Sequence, residues 1–245
     1  MDNQLNPKQE ASRKTTSVKR LKELAQHEDK YVRKKIAKNI KTPLALLKKL
    51  AKDECTTVRE SVAGNINSPG SLLEKLADDK CDYVRESVAG HPNTLFTILE
   101  KLAVDKKWTV RTHVIRNENT TVSLLEKLSE DDEWEVRRNI SVNESTPISI
   151  LNKLVEDNNK HVRQGLATNP NTPVNLLEKL VDEDATVRVL HAGSGAVTES
   201  DILLASASEA IVISFSIGSE PSAERLADRI GVEIRHYEII YQLID

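Results

Sequence analysis

The chain has 245 residues and a formal net charge of −3, and its residues are 38% hydrophobic but only 3% aromatic. Such a length allows one large domain or two small ones, and the scarcity of aromatic residues favours stacked helices over a β-sandwich or barrel. The sequence has no apolar run long enough to cross a membrane and only two cysteines, so we expect neither a membrane span nor a disulfide framework.

Basic residues are concentrated at the start of the chain. Residues 1–52 contain 15 Lys and Arg against 5 Asp and Glu, whereas residues 53–245 contain 20 basic and 33 acidic residues. A chain with this asymmetry can present a basic end to phosphates or to acidic proteins. We predict that residues 1–17 form a disordered basic tail. Because this start lacks the apolar segment of a signal peptide, we expect a cytoplasmic protein.

A repeat of about 26 residues organises the chain after this tail. The dipeptide Val-Arg recurs five times at intervals of 26 residues and once at an interval of 25. Its valines are Val32, Val58, Val84, Val110, Val136, Val162 and Val187. We predict a solenoid of about six to seven helical repeats over residues 18–186, because one such unit cannot bury its apolar face without a neighbour.

Each repeat is predicted to contain two helical segments. In the first, represented by Ser71–Asp79, the apolar residues fall on one helix face, and equivalent leucines of successive repeats should stack into a continuous core. The two columns are Leu47, Leu73, Leu99, Leu125, Leu151, Leu177 and Leu50, Leu76, Leu102, Leu128, Leu154, Leu180. In the second segment a pair such as Val84 and Val88 lies four residues apart on one face.

The turns between repeats have a recurring polar pattern. Thr-Pro or Ser-Pro, as in Thr42-Pro43, is predicted to place a capping hydroxyl before a proline at the first helical position. A column of Asn residues, with His91 in one repeat, is predicted to end the second segment, because Asn tolerates the left-handed conformation and bonds to local backbone. Its members are Asn39, Asn65, Asn117, Asn143 and Asn169.

The repeat resembles that of the leucine-rich repeat variant proteins. The sequence VRQGLATNPNTP (Val162–Pro173), followed by LLEKL, has the family's order of apolar, Asn and Thr-Pro positions. The resemblance covers roughly residues 18–187 and implies a right-handed superhelix in which each unit pairs an α-helix with a shorter, partly 3₁₀ helix. The first described members carry a cysteine-ligated iron–sulfur cluster before the repeats. No cysteine precedes Cys55 in this chain, so we expect no such cofactor.

The pattern changes from residue 187 onwards. Strands are predicted at Val187–Ala192, Ala210–Ser216 and Val232–His236, and helices at Thr198–Ala207, Pro221–Ile230 and Tyr237–Asp245. This alternation implies right-handed parallel crossovers, so residues 187–245 are predicted to form a small α/β subdomain with a parallel, flavodoxin-like sheet fragment.

The same residues resemble part of bacterial translation initiation factor two. The matching text is VRVLHAGSGAVTESDILLASASEAIVISF followed by ADRIGVEIRHYEIIYQLID. The resemblance implies the small α/β domain that lies between the GTPase core and the tRNA-binding barrel in that family. The leucine spacing of NLLEKLVDEDATVRVLHAG fits both the last repeat and a helix of that family. The sequence has no GxxxxGK[ST] loop, so we expect no GTPase activity.

Nine basic residues crowd little more than one repeat and are the candidate anion-binding residues. They are Lys30, Arg33, Lys34, Lys35, Lys38, Lys41, Lys48, Lys49 and Lys52. One interpretation is a solvated polar cap on the end of the solenoid, and the other is a surface that binds phosphates or an acidic protein. Only Tyr31 lies among them, which does not support base stacking on single strands.

The arginine of each Val-Arg pair also has two interpretations. The column from Arg33 to Arg188 either lines an anion-binding groove or pairs internally with aspartates of the preceding loops. The two columns repeat together, which favours internal pairing. The aspartates are Asp53, Asp79, Asp105, Asp131 and Asp157.

Two other residue pairs recur at the repeat spacing. Trp108 and Trp134 are the candidate protein-interface residues, since rigid aromatic side chains often anchor interfaces, and the alternative is that they cover a loop. Cys55 and Cys81 are expected to be loop or packing residues, because stacked helices lie too far apart for a disulfide and no ligand-spaced His is near.

The remaining patterns do not indicate catalysis. The Gly193-Ser194-Gly195 sequence lacks the third glycine of a dinucleotide loop, because Thr198 stands there and begins a Thr198…Asp201 cap. We therefore expect a mainly α-helical, non-enzymatic scaffold without cofactor, metal or small-molecule substrate, which recognises a protein partner. The alternative is a translation-related factor that associates with the ribosome or RNA through the basic repeats and the initiation-factor-like tail.

Overall fold

The computed structural model describes residues 6–173, 175–177, 179–180, 191, 193–215 and 217–237. The chain divides into two compact units, residues 1–140 and 141–245. The predicted domain boundary between residues 186 and 187 lies outside the described residues. No helix of the described part is long and apolar enough to cross a membrane.

The first unit is built from short helices that alternate between two roles. The leading helix of each pair has seven residues, and the following helix has eight or nine. The helices are α1 (Pro7–Ser12), α2 (Val18–Leu24), α3 (Lys30–Lys38), α4 (Leu44–Leu50), α5 (Thr56–Ala63), α6 (Gly70–Leu76), α7 (Asp82–Ala89), α8 (Phe96–Leu102), α9 (Trp108–Ile115), α10 (Val122–Leu128) and α11 (Trp134–Val142), whose last two residues belong to the second unit. Leading helices are α2, α4, α6, α8 and α10; following helices are α3, α5, α7, α9 and α11.

The following helices from α3 to α9 form a continuous stack. Helix α1 packs on α3, α3 on α5, α5 on α7 and α7 on α9, while each leading helix packs against a following helix. Both helices of a pair are α-helical, and the following helix is the longer one. This corrects the expectation that the shorter helix of each pair is partly 3₁₀. Two residues four apart, such as Val58 and Val62, both reach the core because an α-helix returns to the same face after 3.6 residues, which a 3₁₀-helix does not.

The predicted core columns are confirmed. Leu47, Leu73 and Leu99 are fully buried, as are the valine pairs of the following helices. Leu177, at the far end of the predicted column, is half-buried. Leading and following helices therefore share an apolar layer, and each repeat contributes leucines from one side and valines from the other.

The segment predicted as a disordered tail contains a helix. Helix α1 begins after Asn6, whose side chain accepts a hydrogen bond from the Lys8 N–H at 3.0 Å, and its Ala11 is fully buried. The Asn39 amide donates to the backbone oxygens of Ala11 and Arg13 at 2.8 and 3.0 Å. The prediction of disorder is wrong for this segment, because the neighbouring repeat supplies contacts that a local pattern does not contain.

The residues of the Asn column lie at or directly after the ends of the following helices, and none of them is left-handed. Asn39 has extended backbone (φ −72°, ψ 124°), and its side-chain oxygen accepts from the Lys41 N–H at 2.9 Å. Among the described non-glycine residues only Glu209 has positive φ. The predicted left-handed conformation is therefore wrong, whereas the predicted bonding to local backbone is confirmed.

The same side chains connect neighbouring repeats. The buried Asn65 amide donates to the backbone oxygens of Ala37 and Asn39, 2.6 and 3.2 Å away in the preceding repeat. Asn117 repeats these two bonds two repeats further along, and in the second unit Asn169 does the same with Ser141 and Asn143. His91 takes the Asn position in one repeat, with Nε2 2.9 Å from the oxygen of Asn65.

The Thr-Pro hydroxyls bond backwards along the chain. Thr42 Oγ1 donates to the backbone oxygen of Ile36 at 2.6 Å, and Ser68 Oγ donates to Val62 at 2.6 Å. The proline itself is the residue before the first helical position of α4 and α6, and no side chain caps those helices. The predicted capping of the leading helix is wrong, because the hydroxyl donates to a carbonyl at the end of the previous helix instead. In α3 this carbonyl, that of Ile36, also accepts from the Asn39 N–H.

The second unit contains a further helix pair and an α/β segment. Its elements are α12 (Ile148–Leu154), α13 (Lys160–Thr168), α14 (Glu199–Ala207), β1 (Val212–Phe215), α15 (Pro221–Ile230) and β2 (Ile234–Tyr237). Strands β1 and β2 are parallel, with Val212 opposite Ile234, and α15 connects them. This confirms a mainly helical repeat fold with a small parallel sheet. The predicted strand at Val187–Ala192 and the closing helix at Tyr237–Asp245 lie outside the described residues, apart from His191 and Tyr237.

A small core holds this α/β segment together. Val197, Ile202, Ala223 and Leu226 are buried against one another, and Ile234 of β2 packs on them. Helix α14 begins at the predicted cap, where the Asp201 carboxylate accepts from the Thr198 N–H at 2.8 Å and from its hydroxyl at 2.7 Å. Helix α15 ends at Gly231, whose positive φ of 75° suits a residue without a side chain.

We expect Asn65→Ala to lower the free energy of unfolding by about 2 kcal/mol, because it removes two buried hydrogen bonds and leaves the Ala37 carbonyl without its Asn65 donor. The matched control is Asn67→Ala, which removes one exposed bond to the oxygen of Ile40 and should cost less than about 1 kcal/mol. Urea unfolding followed by circular dichroism measures both values. Equal losses of unfolding free energy in the two variants would show that the buried hydrogen bonds stabilise the chain no more than the exposed one.

We expect Gly165→Ala to destabilise the chain by about 1–2 kcal/mol. A Cβ at this position would overlap Ser141 Oγ and lie 3.1 Å from Val142 Cγ1, so overpacking outweighs the gain in helix propensity. Gly64→Ala is the matched control. Its Cβ would lie 3.6 Å from the nearest atom, and it should raise stability by up to about 1 kcal/mol. The thermal unfolding midpoints of the two variants should shift in opposite directions.

Candidate interaction surface

The Val-Arg arginines are held within the first unit. Arg59 donates from Nε and Nη2 to the two carboxylate oxygens of Asp79 at 2.6 and 2.9 Å, and from Nη1 to the backbone oxygens of Asp53 and Glu54. The same two-bond geometry joins Arg33 to Asp53, Arg85 to Asp105 and Arg111 to Asp131.

These ion pairs decide between the two interpretations of the arginine column. Internal pairing is correct for the four arginines named above, and an anion-binding groove is wrong for them. The partner aspartate lies in the following loop, 20 residues ahead, and not in the preceding loop as predicted. The preceding loop contributes its backbone oxygens instead, so one planar guanidinium connects two consecutive loops.

The ion pairs lower the pKa of the aspartates. Burial acts to raise the pKa of Asp79, but the hydrogen bonds from Arg59 and from the backbone N–H of Cys81 outweigh it, and the pKa lies below the usual range. The pKa values of Asp53 and Asp105 are lowered by the equivalent partners against the same effect of burial. These carboxylates therefore stay ionised and paired at neutral pH.

The candidate anion-binding residues divide between two helices. Lys30, Lys34, Lys35 and Lys38 belong to α3, Lys41 lies in the loop, and Lys48, Lys49 and Lys52 belong to α4 and the turn after it. All eight are exposed except the half-buried Lys34, and within the described residues none of them forms an ion pair.

Arg33 does not share the surface with these lysines. Its Nε and Nη2 bond to Asp53, and its Nη1 donates to the backbone oxygens of His27 and Glu28 at 2.9 and 2.8 Å. Arg33 is therefore not an anion-binding residue, in contrast to the prediction. The exposed residues of α3 and α4 lie opposite the faces that bury Ile36 and Leu47, so the lysines form two outward surfaces.

The outward faces of the leading helices carry a repeated ion pair. Lys101 Nζ on α8 lies 2.5 Å from Asp78 Oδ1, which follows α6. In the second unit Lys179 pairs with Glu156 at the same separation along the chain. In each case the lysine of one repeat bonds to the acid that follows the leading helix of the preceding repeat.

This pairing is interrupted at α4 and α6. Lys75 occupies the same position in its repeat as Lys101 does in the next repeat. The position equivalent to Asp78 is Lys52, so Lys75 has a lysine where Lys101 has an aspartate. Three lysines on the outward faces of α4 and α6, and a fourth in the turn after α4, therefore have no ion pair among the described residues. We call Lys48, Lys49, Lys52 and Lys75 the lysine patch.

The two tryptophans occupy the same position in successive repeats. Trp108 begins α9 and is 37% exposed, and Trp134 begins α11 and is half-buried. Each ring therefore retains some accessible surface. Their role as interface anchors stays a prediction.

Sequence reasoning missed an apolar surface at the starts of the leading helices. Val18, Leu44, Phe96 and Val122 are the first residues of α2, α4, α8 and α10. Helix α6 begins with Gly70, which has no side chain at this position. An added Cβ there would lie 3.1 Å from Leu95 Cγ, so the Leu95 side chain lies directly beside Gly70. These five apolar side chains, Val18, Leu44, Leu95, Phe96 and Val122, are between 40% and 57% exposed. We call them the apolar ridge.

The signal for the ridge was present in the sequence. An apolar residue stands two positions before the buried leucine pair in most repeats, and in the second unit Ile148 of α12 is exposed at this position too. Scattered exposed apolar residues are ordinary, but recurrence at one repeat position aligns them in a row.

The cysteines and carboxylates do not form a metal site in the described residues. Cys55 and Cys81 are free, half-buried residues that precede α5 and α7. Within the described ranges, no group of three His, Cys, Asp or Glu side chains is placed to hold a metal ion.

The C-terminal part is similar to translation-initiation factor 2. The family model of this factor matches residues 173–245. Translation initiation factor IF-2 of Clostridioides difficile is 54% identical over 63 residues, that of Gluconacetobacter diazotrophicus 52% and that of Symbiobacterium thermophilum 46%. Each match covers 26% of this chain and 10%, 7% and 6% of those proteins, respectively. The chain thus spans about a tenth or less of these curated relatives.

The helical repeats are similar in fold to a solved repeat protein. That structure is described as a leucine-rich repeat variant with a novel repetitive protein structural motif, and the likeness has a TM-score of 0.52 at 24% sequence identity. It covers 67% of this chain and 70% of the solved one. The two resemblances indicated by the sequence are therefore confirmed, one for the repeats and one for the C-terminal part.

We expect Asp79→Asn to lower the free energy of unfolding by about 3 kcal/mol at pH 7, because it leaves the buried Arg59 without its counter-ion. The pKa of Asp79 is lowered by folding, so its contribution is fully present above the ordinary aspartate pKa of about 3.9. That contribution is lost as the pH falls through the folded-state pKa, and the two proteins should converge in acid.

Denaturant unfolding between pH 7 and pH 2.5 measures this convergence. Asp78→Asn is the matched control, since Asp78 forms an exposed ion pair with Lys101, and it should cost less than about 1 kcal/mol at every pH. A difference between Asp79→Asn and the wild type that stays constant into acid would contradict the assigned ion pair.

Proposed function

We propose that the chain is a non-catalytic scaffold whose helical repeats bind a protein partner in the cytoplasm. The observation that carries this proposal is the apolar ridge. Exposed apolar side chains lie at one position of four leading helices in the first unit, and Leu95 lies beside Gly70 at this position of the fifth. A single partner can contact several of them at once.

The chemistry of the repeated positions supports this proposal. The polar side chains that recur most regularly along the repeats bond within the protein: Asn65 donates to the backbone of the preceding repeat, and Arg59 pairs with Asp79. Their donors are therefore occupied. The ridge is different, because it presents carbon atoms to water without an internal partner, and covering such atoms with a protein surface is favourable.

Neighbouring leading helices of a stack lie roughly 10 Å apart, so one ordered segment can touch several ridge residues. Large side chains such as Phe96 and Leu95 are suited to anchor such contacts, since a few buried residues supply most of the binding energy in protein interfaces. Trp108 and Trp134 belong to a second candidate surface at the starts of following helices.

We propose as a second candidate that the chain associates with the ribosome or RNA without GTPase activity. Two observations favour it: residues 173–245 match the family model of translation-initiation factor 2, and the lysines of α3 and α4 have no ion pair in the described part of the chain. Phosphate groups and acidic proteins both suit such lysines.

We expect Phe96→Ser combined with Val122→Ser to reduce partner binding about tenfold without changing the fold, because both side chains are exposed. The measurement is quantitative affinity capture from bacterial lysate with the whole chain as bait. Each protein depleted by the variant is then purified and its affinity for both chains is measured directly.

Val104→Ser is the matched control for Val122→Ser. Both valines are exposed, at 61% and 51%, but Val104 lies after α8 and outside the ridge. A protein lost with Val122→Ser and retained with Val104→Ser supports the proposal. Equal recovery with both variants argues against the ridge, and ribosomal components recovered independently of the ridge favour the second candidate.

A further inference from the structure

We propose that the lysine patch, together with Leu44, binds an acidic amphipathic segment of the partner protein. This inference rests on the proposed protein-binding function and adds the chemistry of the bound segment. The segment presents apolar side chains to Leu44 and carboxylates to Lys48, Lys49, Lys52 and Lys75.

The interrupted ion pair is the first argument. The structure describes two ion pairs at this position, Lys101 with Asp78 and Lys179 with Glu156, whereas Lys127 has the apolar Val104 at the corresponding place. Lys75 has Lys52 at the corresponding place, so the internal carboxylate is replaced by a second positive charge. A carboxylate from another protein can take the position that Asp78 occupies one repeat further along.

The arrangement of α4 is the second argument. Leu44, at the start of the helix, is 43% exposed, and Lys48 follows four residues later on the same outward face. Lys52 continues this row after the helix ends. An apolar position followed by basic positions at helical spacing matches a partner segment that has leucine-like and acidic residues at the same spacing.

The patch favours carboxylates over the phosphates of a nucleic acid. Neither α4 nor α6 contains an arginine or an aromatic residue, whereas nucleic-acid surfaces commonly use the guanidinium fork and ring stacking. Arg59, the arginine of the intervening following helix, is buried and bonded to Asp79. Leu44 likewise adds nothing to contacts with a phosphate backbone but adds apolar contact area with a protein.

The test is fluorescence anisotropy with the whole chain and a labelled synthetic helical peptide that carries leucine along one stripe and glutamate elsewhere. A second peptide has serine in place of every leucine at the same net charge. An RNA hairpin of equal charge is the third probe. These probes separate the apolar, acidic and phosphate contributions to binding.

The main variant is Lys48→Glu combined with Lys52→Asp, which removes half of the patch and gives Lys75 the carboxylate that Asp78 gives Lys101. Lys106→Glu combined with Lys127→Glu is the control, since both lysines are exposed, lie outside the patch and give the same change in charge. Thermal unfolding monitors the fold, and Lys52→Asp should not lower the midpoint because it restores the repeated ion pair.

We expect the patch variant to weaken binding of the leucine peptide about tenfold and the control variant less than about twofold. The serine peptide should bind the wild type about tenfold more weakly than the leucine peptide, and Leu44→Ser should reduce this preference.

Three results would overturn the inference: equal losses in the two charge variants, equal affinity for the two peptides, or an RNA hairpin that binds more tightly and displaces the leucine peptide. Phe96 and Val122 lie outside the patch, so the capture experiment on the ridge and this experiment can fail independently.

Discussion

The hydrogen bond between a buried Asn side chain and the preceding repeat is the interaction on which the rest of the first unit depends. A following helix such as α3 ends with backbone oxygens that have no partner of their own within the helix, and the Asn65 amide of the next repeat donates to two of them. Without that donor, polar groups would be buried at a cost that a short helix cannot offset. Each repeat therefore needs its neighbour, and even α1 is ordered because Asn39 bonds to it.

Two further contacts follow the same logic. Hydroxyls such as that of Thr42 donate a second hydrogen bond to another oxygen at the end of the same following helix. Arg59 joins two consecutive loops through Asp53 and Asp79. These residues recur because every junction between repeats presents the same open backbone groups. In this chain, a polar residue that recurs from repeat to repeat thus has an internal role. Candidate interaction surfaces are the places where outward side chains are apolar, or where a repeat lacks the polar contact that other repeats have.

The two surfaces that meet this description have different physical characters. The apolar ridge is made of side chains such as Phe96 that gain free energy when water is removed from them. The lysine patch gains from an opposite charge, and this contribution depends on salt. Leu44 belongs to both surfaces, so an amphipathic partner can use apolar contact and ion pairing in a single binding event. In the second unit, the parallel strands β1 and β2 with α15 between them form the framework of the segment that is similar to translation-initiation factor 2.

The sequence by itself determined the length of the repeat, the helical segments and the buried leucine and valine columns. It also determined the two helices and two strands that the structure describes between residues 199 and 237, because all of these depend on the spacing of apolar residues along the chain. Only the tertiary structure decided which groups the polar side chains meet. Arg59 lies six residues after Asp53 and 20 before Asp79, and the sequence pattern does not show that its side chain pairs with the more distant aspartate. Likewise, the outward position of Val122 and the missing carboxylate beside Lys75 depend on where one repeat places its side chains against the next. The spacing of apolar residues is a local property of each repeat, whereas these contacts join residues of different repeats. Local patterns therefore predict the helices but not the partners of the polar side chains.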